Sequence, residues 1–182
     1  EELKTHFSFE SPEEAFCKAY IKWGFDCPNY INGDFAVVII DKQKNEVHLF
    51  RDHIGVRLLA YHFNNNRLIF ASHEFGIAKS RLLKTEICEK RFLADILKKH
   101  LDYSNTIFEG IKKVKPGFSV SINKSGIKET EIWKPSEIKT NKSISYDEAV
   151  LKLRQILIKA TKSRIEPGKI GAHVSGGLDC TG

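Results

Sequence analysis

Apolar residues recur at helical spacing near the start of the chain. Ser11, Pro12 and Glu14 form a helix-start pattern, because Ser11 can cap the first turn, Pro12 suits the first helical position and Glu14 can close a capping box. The apolar residues that share one helical face are Ala15, Phe16, Ala19, Tyr20 and Trp23. Gly24 can adopt the left-handed conformation that ends many helices. We therefore predict a helix that begins at Pro12 and ends before Gly24.

Two hairpins are predicted next. An almost unbroken apolar run at 34–40 is separated from a second run, 46–50, by a polar turn. This pattern predicts a hairpin with one strand buried on both sides. Residues 58–63 and 67–71 flank Asn64-Asn65-Asn66, a sequence that favours a tight turn. Together these segments predict four consecutive antiparallel strands.

The following segment carries weaker signals. Helical spacing returns at Phe92, Leu93, Ile96, Leu97 and Leu101. Weak strands are predicted at 117–122 and 127–133, around a turn at Lys124-Ser125-Gly126. Residues 134–143 are polar, contain Pro135 and lack a period, so we interpret them as a linker.

A further helix and strand are predicted after the linker. Ser145 and Glu148 fit a capping box, and an apolar stripe continues to about Ser163. The members of the stripe are Ala149, Val150, Leu153, Ile156, Leu157 and Ala160. The run 169–174 then predicts a short strand that leads directly into Ser175-Gly176-Gly177.

Composition and charge narrow the class of protein. The 182 residues are 41% apolar and 29% charged, with a net charge of +6; this is typical of a soluble globular protein and excludes a disordered or collagen-like chain. No apolar run reaches the roughly 18 residues of a bilayer span, so we expect no membrane partner. The basic residues are scattered rather than interleaved with aromatic ones, so we expect no nucleic-acid partner.

The cysteines and the two ends of the chain add two expectations. Cys17, Cys27, Cys88 and Cys180 match neither a metal-ligand spacing nor a disulfide scaffold. A reducing, cytoplasmic location fits this pattern. The chain contains no Met, even at position 1, and it ends within a glycine-rich segment. We therefore expect it to be part of a longer protein.

The glycine-rich segment has the composition of a phosphate-binding loop. Glycines let backbone N–H groups approach an anion, and a following helix start would add a favourable dipole. Asp179 offers a carboxylate that can position a metal ion or a water molecule. No Lys follows the second Gly, so the segment is not an ordinary P-loop. On these residues alone, a plain strand-to-helix turn is the alternative.

Several short motifs, in matching order and spacing, together resemble the asparagine synthetase family. They are Gly33-Asp34-Phe35-Ala36, Arg51-Asp52-His53-Ile54-Gly55-Val56-Arg57, Phe70-Ala71-Ser72, Thr106-Ile107-Phe108-Glu109-Gly110-Ile111, Lys115-Pro116-Gly117 with Trp133, and Val174-Ser175-Gly176-Gly177-Leu178-Asp179. The earlier motifs are similar to the second half of a class II glutamine amidotransferase domain. The last is similar to the SGGxDS loop of ATP pyrophosphatases. The resemblance covers nearly the whole chain.

This resemblance implies an α+β fold in two domains. Residues 1–140 would be the C-terminal part of an Ntn-type αββα sandwich, whose absent first strands leave sheet edges and apolar surface exposed. Residues 141–182 would be a linker followed by the first helix and strand of a Rossmann-like parallel α/β domain.

The resemblance also implies an ATP-dependent, glutamine-dependent amidotransferase. In the family, glutamine is hydrolysed to ammonia, a carboxylate such as that of aspartate is adenylated with ATP and Mg²⁺, and pyrophosphate leaves. Ammonia then displaces AMP to give an amide such as asparagine. Val174 would lie against the nucleotide, and Ser175, Gly176 and Gly177 would hold its pyrophosphate portion. Asp179 would lie near Mg²⁺, whereas Cys180 stands where the family usually has Ser and is the weaker hydrogen-bond donor.

The glutamine-hydrolysing half departs from the family pattern. The family's N-terminal cysteine nucleophile would lie upstream of Glu1, so we expect these 182 residues alone to be inactive. The family commonly has an Asp at the helix start, where it binds the glutamine α-amino group. Pro12 occupies that position here, or Glu13 if the alignment slips by one. A prolyl ring cannot accept the hydrogen bond of an ammonium group.

The Arg51-Asp52 dipeptide lies at the end of a predicted strand. We interpret these residues, with Gly55, as a structural motif in which the two charged side chains pair, rather than as ligand-binding or catalytic residues. Cys17 lies on the flank of the first helix, and we interpret it as a partly buried small side chain rather than a nucleophile.

Three functions remain open on the sequence. The first is a glutamine-dependent asparagine synthetase or a close relative. The second is a relative that does not hydrolyse glutamine, such as a lasso-peptide cyclase or a β-lactam synthetase; Pro12 favours it, as do Leu58 and His73, where the family usually has Pro and Glu. The third is a glutaminase-like domain that acts only as a structural or dimerising module, for example in a homodimer. A Cys directly after the initiator Met would support the first.

Overall fold

The computed structural model describes residues 8–99, 102–165 and 167–177, and the chain divides into two units between Ile138 and Lys139. The helices of the first unit are α1 (Pro12–Trp23), α2 (Glu74–Lys79) and α3 (Glu89–Ile96), with 3₁₀ turns at Gly24–Tyr30 and Pro135–Glu137. Its strands are β1 (Ala36–Asp41), β2 (Glu46–Arg51), β3 (Ala60–Asn64), β4 (Arg67–Ala71), β5 (Lys112–Lys113), β6 (Phe118–Asn123) and β7 (Gly126–Glu131). The second unit contains α4 (Tyr146–Lys162).

The strands of the first unit form two antiparallel sheets. One has the order β1-β2-β6-β7 and the other has the order β4-β3-β5. Both predicted hairpins are present, but they belong to different sheets. Asn65 and Asn66, at the turn between β3 and β4, have positive φ angles of 49° and 58°, which matches the backbone that two-residue hairpin loops require. The fold is therefore a mixed α+β arrangement with antiparallel sheets.

Three apolar clusters define the layers of the first unit. The cluster between the sheets contains Leu49, Leu59, Tyr61, Val114, Val120 and Ile122. The outer face of the four-stranded sheet packs against α1 through Phe16, Ala19, Cys27, Phe35 and Phe50. The outer face of the three-stranded sheet packs against α2 through Ala60, Ile77 and Ile111. The layers therefore run helix, sheet, sheet, helix.

The prediction of a strand buried on both sides is wrong for the apolar run that forms β1. Among the described strands, this one is at the edge of its sheet, and Ile40 is exposed. The more buried strand is β2, in which His48, Leu49, Phe50 and Arg51 are all buried. The reason is a long-range pairing: β6 adds to β2 rather than to β1, and a hydrophobic pattern cannot reveal that choice.

The first helix is capped much as predicted. The Glu14 N–H donates to Ser11 Oγ at 3.2 Å, and Pro12 occupies the first helical position. The Glu14 carboxylate does not close the box on Ser11: it accepts from the Glu10 N–H at 2.7 Å and pairs with Lys18 at 2.7 Å. Gly24 ends the helix with a φ of 60°.

Of the later helices, α3 ends earlier than predicted, whereas α4 has the predicted bounds. α3 ends at Ile96 because Lys98 takes a positive φ and the Lys99 N–H turns back to the Ala94 carbonyl at 2.8 Å. Leu101 lies outside the described residues. α4 has the predicted capping box, with both the Ser145 hydroxyl and the Glu148 carboxylate bonded to the backbone. No helix in the described part of the chain is long and apolar enough to cross a membrane.

The predicted strand at 169–174 is wrong, since no strand is present within the described residues 167–177. A strand is held by hydrogen bonds to a neighbouring strand, and residues 169–177 are all exposed. The short elements α2 and β5 were not predicted. At six and two residues, they are too short to carry a period.

Candidate functional site

Arg51 lies at the end of β2, and its buried guanidinium bonds to three carbonyl groups in two segments of backbone. It donates to the Arg57 carbonyl at 2.7 Å, to the Gly55 carbonyl at 2.7 Å and to the Val114 carbonyl at 2.6 Å. Val114 belongs to the core between the sheets and donates its own N–H to the Leu59 carbonyl. Arg51 therefore ties the four-stranded sheet to the chain beside the three-stranded sheet.

Asp52 shapes the turn that follows. Its two carboxylate oxygens accept from the Val56 N–H at 2.8 Å and from the Arg57 N–H at 2.9 Å. Its backbone N–H donates to the Phe35 carbonyl at 2.9 Å. The carboxylate is almost completely buried, and its bonds replace the water that it loses on burial.

The expected pairing between Arg51 and Asp52 takes another form. In the structure each side chain bonds to backbone groups, and neither bonds to the other side chain. Burial lowers the pKa of Arg51, and the nearby Asp52 carboxylate opposes that effect. Both charges thus face inward and are satisfied by the protein's own groups, a geometry that agrees with a structural rather than a ligand-binding interpretation.

Two glycines allow the loops around this pair to approach closely. Gly55 has a φ of 73°, and a Cβ at this position would lie 2.7 Å from Pro116 Cγ and 2.9 Å from Arg51 Nη2. Gly117 has a φ of 69°, and its Cβ would lie 2.5 Å from the Trp133 carbonyl oxygen. The motifs at 51–57, 115–117 and 133, which lie far apart in the sequence, therefore meet in one tightly packed junction.

The start of α1 offers a carboxylate at Glu13 but none at Pro12. Glu13 is exposed, and its own backbone N–H and the Ser11 hydroxyl hold the pKa of its carboxyl below the ordinary value. The Glu14 carboxylate is already engaged, and its pKa is lowered by Lys18 and by the Glu10 N–H. The exposed Glu13 carboxylate, beside Pro12, can still accept a hydrogen bond from a ligand.

The predicted phosphate loop of the second unit is open. Ser175, Gly176 and Gly177 are exposed, as is Val174. Gly176 has a φ of 78°, and a Cβ there would have no atom within 4 Å. Asp179 and Cys180 lie outside the described residues, so their roles stay predictions. Within the described ranges no cluster of three His, Cys, Asp or Glu side chains is placed to hold a metal ion.

A family model described as a glutamine amidotransferase domain matches residues 1–133 of the 182. The chain belongs to this amidotransferase family. A glutamine-hydrolysing asparagine synthetase of Bacillus subtilis is 28% identical over 95% of the chain and 28% of its own length. A Methanocaldococcus jannaschii protein assigned as a glutamine-hydrolysing asparagine synthetase is 31% identical over 98% of the chain and 36% of its own length.

These relatives place the chain among class II amidotransferase domains of the asparagine synthetase family. A third relative, an amidase of Gibberella zeae, is 29% identical over 98% of the chain and 27% of its own length. The chain thus spans between about a quarter and about a third of the length of the curated relatives it matches.

One polar cluster of the amidotransferase domain was missed by the sequence analysis. On the outer face of the four-stranded sheet, His48 is buried with Nδ1 3.0 Å from Ser121 Oγ and Nε2 3.4 Å from the Glu46 carboxylate. Beside it, the Tyr20 hydroxyl donates to Asp41 Oδ2 at 2.8 Å. An open cavity of about 520 Å³ adjoins the cluster.

Burial has clear electrostatic effects in this cluster. It lowers the pKa of His48, although the Glu46 carboxylate opposes the shift. Burial and the bond to Asp41 raise the pKa of Tyr20. The sequence signal was the alternation of Val47, His48 and Leu49, which turns a histidine to the side opposite the inter-sheet core.

Proposed function

We propose that this chain joins the end of a glutamine amidotransferase domain to the start of an ATP-binding synthetase domain. The full-length protein would convert aspartate, or a related carboxylate, to its amide while ATP is cleaved to AMP and pyrophosphate. The proposal rests on how far along the chain each similarity extends. The family model stops at residue 133, whereas the asparagine synthetases align over 95% and 98% of the chain. The second unit therefore shares their sequence as well.

The open loop of the second unit fits a phosphate group. Gly176 needs the left-handed backbone that glycine adopts without strain, and no atom of the described residues lies within 4 Å of a Cβ at this position. We propose that Ser175, Gly176 and Gly177 hold the pyrophosphate portion of ATP, that Val174 lies against the nucleotide and that Asp179 lies near Mg²⁺. ATP would supply the leaving group that activates the carboxylate. The protein's part at this loop is to hold and orient the phosphates through backbone N–H groups.

The full-length protein provides the test of this proposal. With ATP, Mg²⁺ and aspartate, it should form AMP and pyrophosphate when glutamine or ammonium is present. Gly176→Ala should lower that rate by about tenfold or more, because a Cβ strains the loop and obstructs its approach to phosphate. Gly171→Ala, at an exposed glycine with an open surrounding, is the matched control. Absence of AMP with every nitrogen donor would refute the asparagine synthetase assignment.

A second candidate function is favoured by the helix start. Pro12, at the position where the resemblance implies an Asp, cannot accept a hydrogen bond. This candidate requires that the neighbouring Glu13 does not bind the glutamine α-amino group in its place. A relative that keeps the adenylating domain and takes its amine from the substrate itself needs no glutamine site. In that case the full-length protein would not hydrolyse glutamine, and ammonium would not replace the amine substrate. Measurable glutamine hydrolysis would eliminate this candidate and would also exclude a purely structural role for the domain.

We also propose a cytoplasmic location for this activity. Cys17, Cys27 and Cys88 are free thiols, as expected in a reducing compartment. Burial raises the pKa of the Cys27 thiol to about 12, which keeps it protonated and unreactive. Fractionation of cells that express the full-length protein would test the location, and recovery from the culture medium or an extracytoplasmic compartment would contradict it.

A further inference from the structure

The strand register of the four-stranded sheet places three chemically different side chains in one row. His48 on β2 pairs with Ser121 on β6, and Ser121 in turn pairs with Lys128 on β7. Residues that pair in this way point to the same face of a sheet. The adjacent row contains Glu46 and Asn123, because side chains two residues apart along a strand share a face. The outer face therefore brings together an alcohol, an imidazole, a carboxylate and an ammonium group.

The spacing of these groups resembles that of a nucleophile, a base and an orienting carboxylate. Ser121 Oγ lies 3.0 Å from His48 Nδ1. On the other side of the ring, His48 Nε2 lies 3.4 Å from the Glu46 carboxylate. The Asn123 amide holds this carboxylate by donating to its Oε1 at 3.1 Å. A carboxylate that faces Nε2 favours the tautomer with its proton there, and Nδ1 can then accept the proton of Ser121.

Burial keeps the imidazole in the form that a base requires. His48 is buried, and burial lowers its pKa. The charged groups around His48 act in both directions, since Glu46 and Asp41 raise this pKa and Lys44 lowers it. The neighbouring Tyr20 hydroxyl is neutral, because burial raises its pKa. Burial has the largest effect on His48, so the imidazole is neutral at pH 7.

A substrate can reach Ser121 from the open cavity beside it. The cavity has a volume of about 520 Å³, and Ser121 and His48 are among the residues that line it. Phe25 and Ile127 supply apolar wall, and Lys128 lines the cavity as well. A space of this size holds a small molecule, and its apolar wall suits the acyl chain of an ester. The Lys128 ammonium, on the residue paired with Ser121, can stabilise the negative charge that develops on a carbonyl oxygen.

We propose that Ser121 and His48 form a catalytic site that hydrolyses small carboxylic esters with apolar acyl groups, with Glu46 as a positioning residue. Ser121 Oγ bonds to the ester carbonyl carbon while its proton passes to His48 Nδ1. The bond from that carbon to the alcohol oxygen then breaks, and the alcohol leaves with the proton. Water attacks the acyl-serine, again through His48, which releases the carboxylic acid and restores Ser121. This activity is separate from the proposed amide formation and needs neither ATP nor glutamine.

The first experiment identifies the nucleophile with a fluorophosphonate reagent. The serine oxygen bonds to phosphorus, fluoride leaves, and the serine proton passes to the base. The whole 182-residue chain is treated, and peptide mass spectrometry locates the adduct, which we expect on Ser121. Ser121→Ala should abolish labelling. Ser119→Ala is the matched control, because Ser119 lies on the same face of β6 but its buried Oγ has no hydrogen-bond partner among the described residues.

The second experiment measures the hydrolysis of p-nitrophenyl butyrate by the same chain and its dependence on pH. We expect turnover well above that of Ser121→Ala, and His48→Gln should lower kcat/KM by about a hundredfold or more. Glu46→Gln should lower it less and should move the rise of the rate to lower pH, because the carboxylate that raises the His48 pKa is gone. A merely structural Glu46 would leave the pH profile in place. Circular dichroism verifies that each variant is folded.

Each outcome of these experiments decides the proposal. Labelling of Ser121, together with turnover that depends on Ser121 and His48, supports it. A folded wild-type chain that is not labelled, or whose adduct lies on another residue, overturns it. Turnover that survives Ser121→Ala or His48→Gln also overturns it, because other groups would then hydrolyse the ester. Labelling without turnover overturns the hydrolytic step, and an unchanged pH profile in Glu46→Gln overturns the positioning role.

Discussion

Gly55 and Gly176 both have a positive φ, yet their surroundings are opposite. At Gly55, in the first unit, a Cβ would collide with Pro116 and with the Arg51 guanidinium. At Gly176, in the second unit, a Cβ would meet nothing within 4 Å. The first glycine is required because protein packs against it. The second has open space beside it among the described residues, as Gly24, Gly126 and Gly168 also do.

We expect this difference to separate a structural motif around Gly55 from the binding motif that we propose around Gly176. Around Gly55, the charged side chains of Arg51 and Asp52 are buried, and their hydrogen bonds end on the chain's own backbone. Around Gly176, the backbone is exposed, which a phosphate needs if N–H groups are to reach it. We therefore expect changes in the first loop to affect stability, and changes in the second to affect ligand binding.

The largest effect is expected from Arg51→Ala. The change leaves the carbonyls of Gly55, Arg57 and Val114 without their donor and leaves the Asp52 charge buried, so the free energy of unfolding should fall by about 3–5 kcal/mol. Urea unfolding followed by tryptophan fluorescence measures this, because Trp23 and Trp133 both belong to the first unit. Arg67→Ala, at an exposed arginine of β4, should change stability by less than about 0.5 kcal/mol. Equal losses in both variants would contradict the structural role of Arg51.

The comparison between the two glycines can be tested directly with alanine at each position. Gly55→Ala should lower the free energy of unfolding by about 2 kcal/mol or more, because it combines backbone strain with overpacking. Gly176→Ala should leave the unfolding of the first unit unchanged. In the full-length protein, calorimetry measures the binding of pyrophosphate, and here Gly176→Ala should have the larger effect. Gly176→Ala should weaken binding, and any folded Gly55→Ala protein should bind as the wild type does. Similar stability losses in both variants would remove the distinction.

Local features of the fold were predictable from the sequence. The capping box at Ser145 and Glu148, the N-cap at Ser11 and the asparagine turn between β3 and β4 depend on neighbouring residues, and each is present. Pairings between distant strands were not predictable, because a pattern gives each strand its faces but not its partner. This is why β1 was expected to be buried and is instead an edge strand among those that the structure describes.

The candidate site residues show the same difference between local features and long-range contacts. The residue types of Arg51, Asp52 and Gly55 indicated a structural motif, but their actual partners lie as far away as Val114 and Pro116. His48 was missed because the alternation along its strand assigns it a face but does not show what covers that face. Its burial depends on Tyr20 and Phe25, whose rings each lie 5.5 Å from it.

The pH dependence of stability should also differ between the two units. Burial lowers the pKa of His48 in the folded state. As the pH falls, His48 of the unfolded chain therefore takes up a proton near its ordinary pKa of about 6.5, before His48 of the folded chain does. The contribution of neutral His48 to the free energy of unfolding of the first unit should therefore be fully present above that pH. It should be lost as the pH drops through this region. The urea midpoint, followed by tryptophan fluorescence, should show the fall in the wild type and a smaller one in His48→Gln. His173→Gln, in the second unit, is the control, and an unchanged slope in His48→Gln would contradict this origin.

The smallest effect is expected from Ser145→Ala, which removes the capping box of α4. No residue of α4 is buried, and an isolated helix of this length is only marginally stable in water, so its cap contributes a large share of its local stability. The change should lower the free energy of opening of the first turn by about 1 kcal/mol, measured by hydrogen exchange of the Glu148 amide. The unfolding of the first unit should not change. Ser143→Ala, in the linker, should leave the exchange rate of that amide as it is. If Ser145→Ala instead lowers the urea midpoint of the tryptophan signal, the stability of the two units is coupled and our separation of their roles fails.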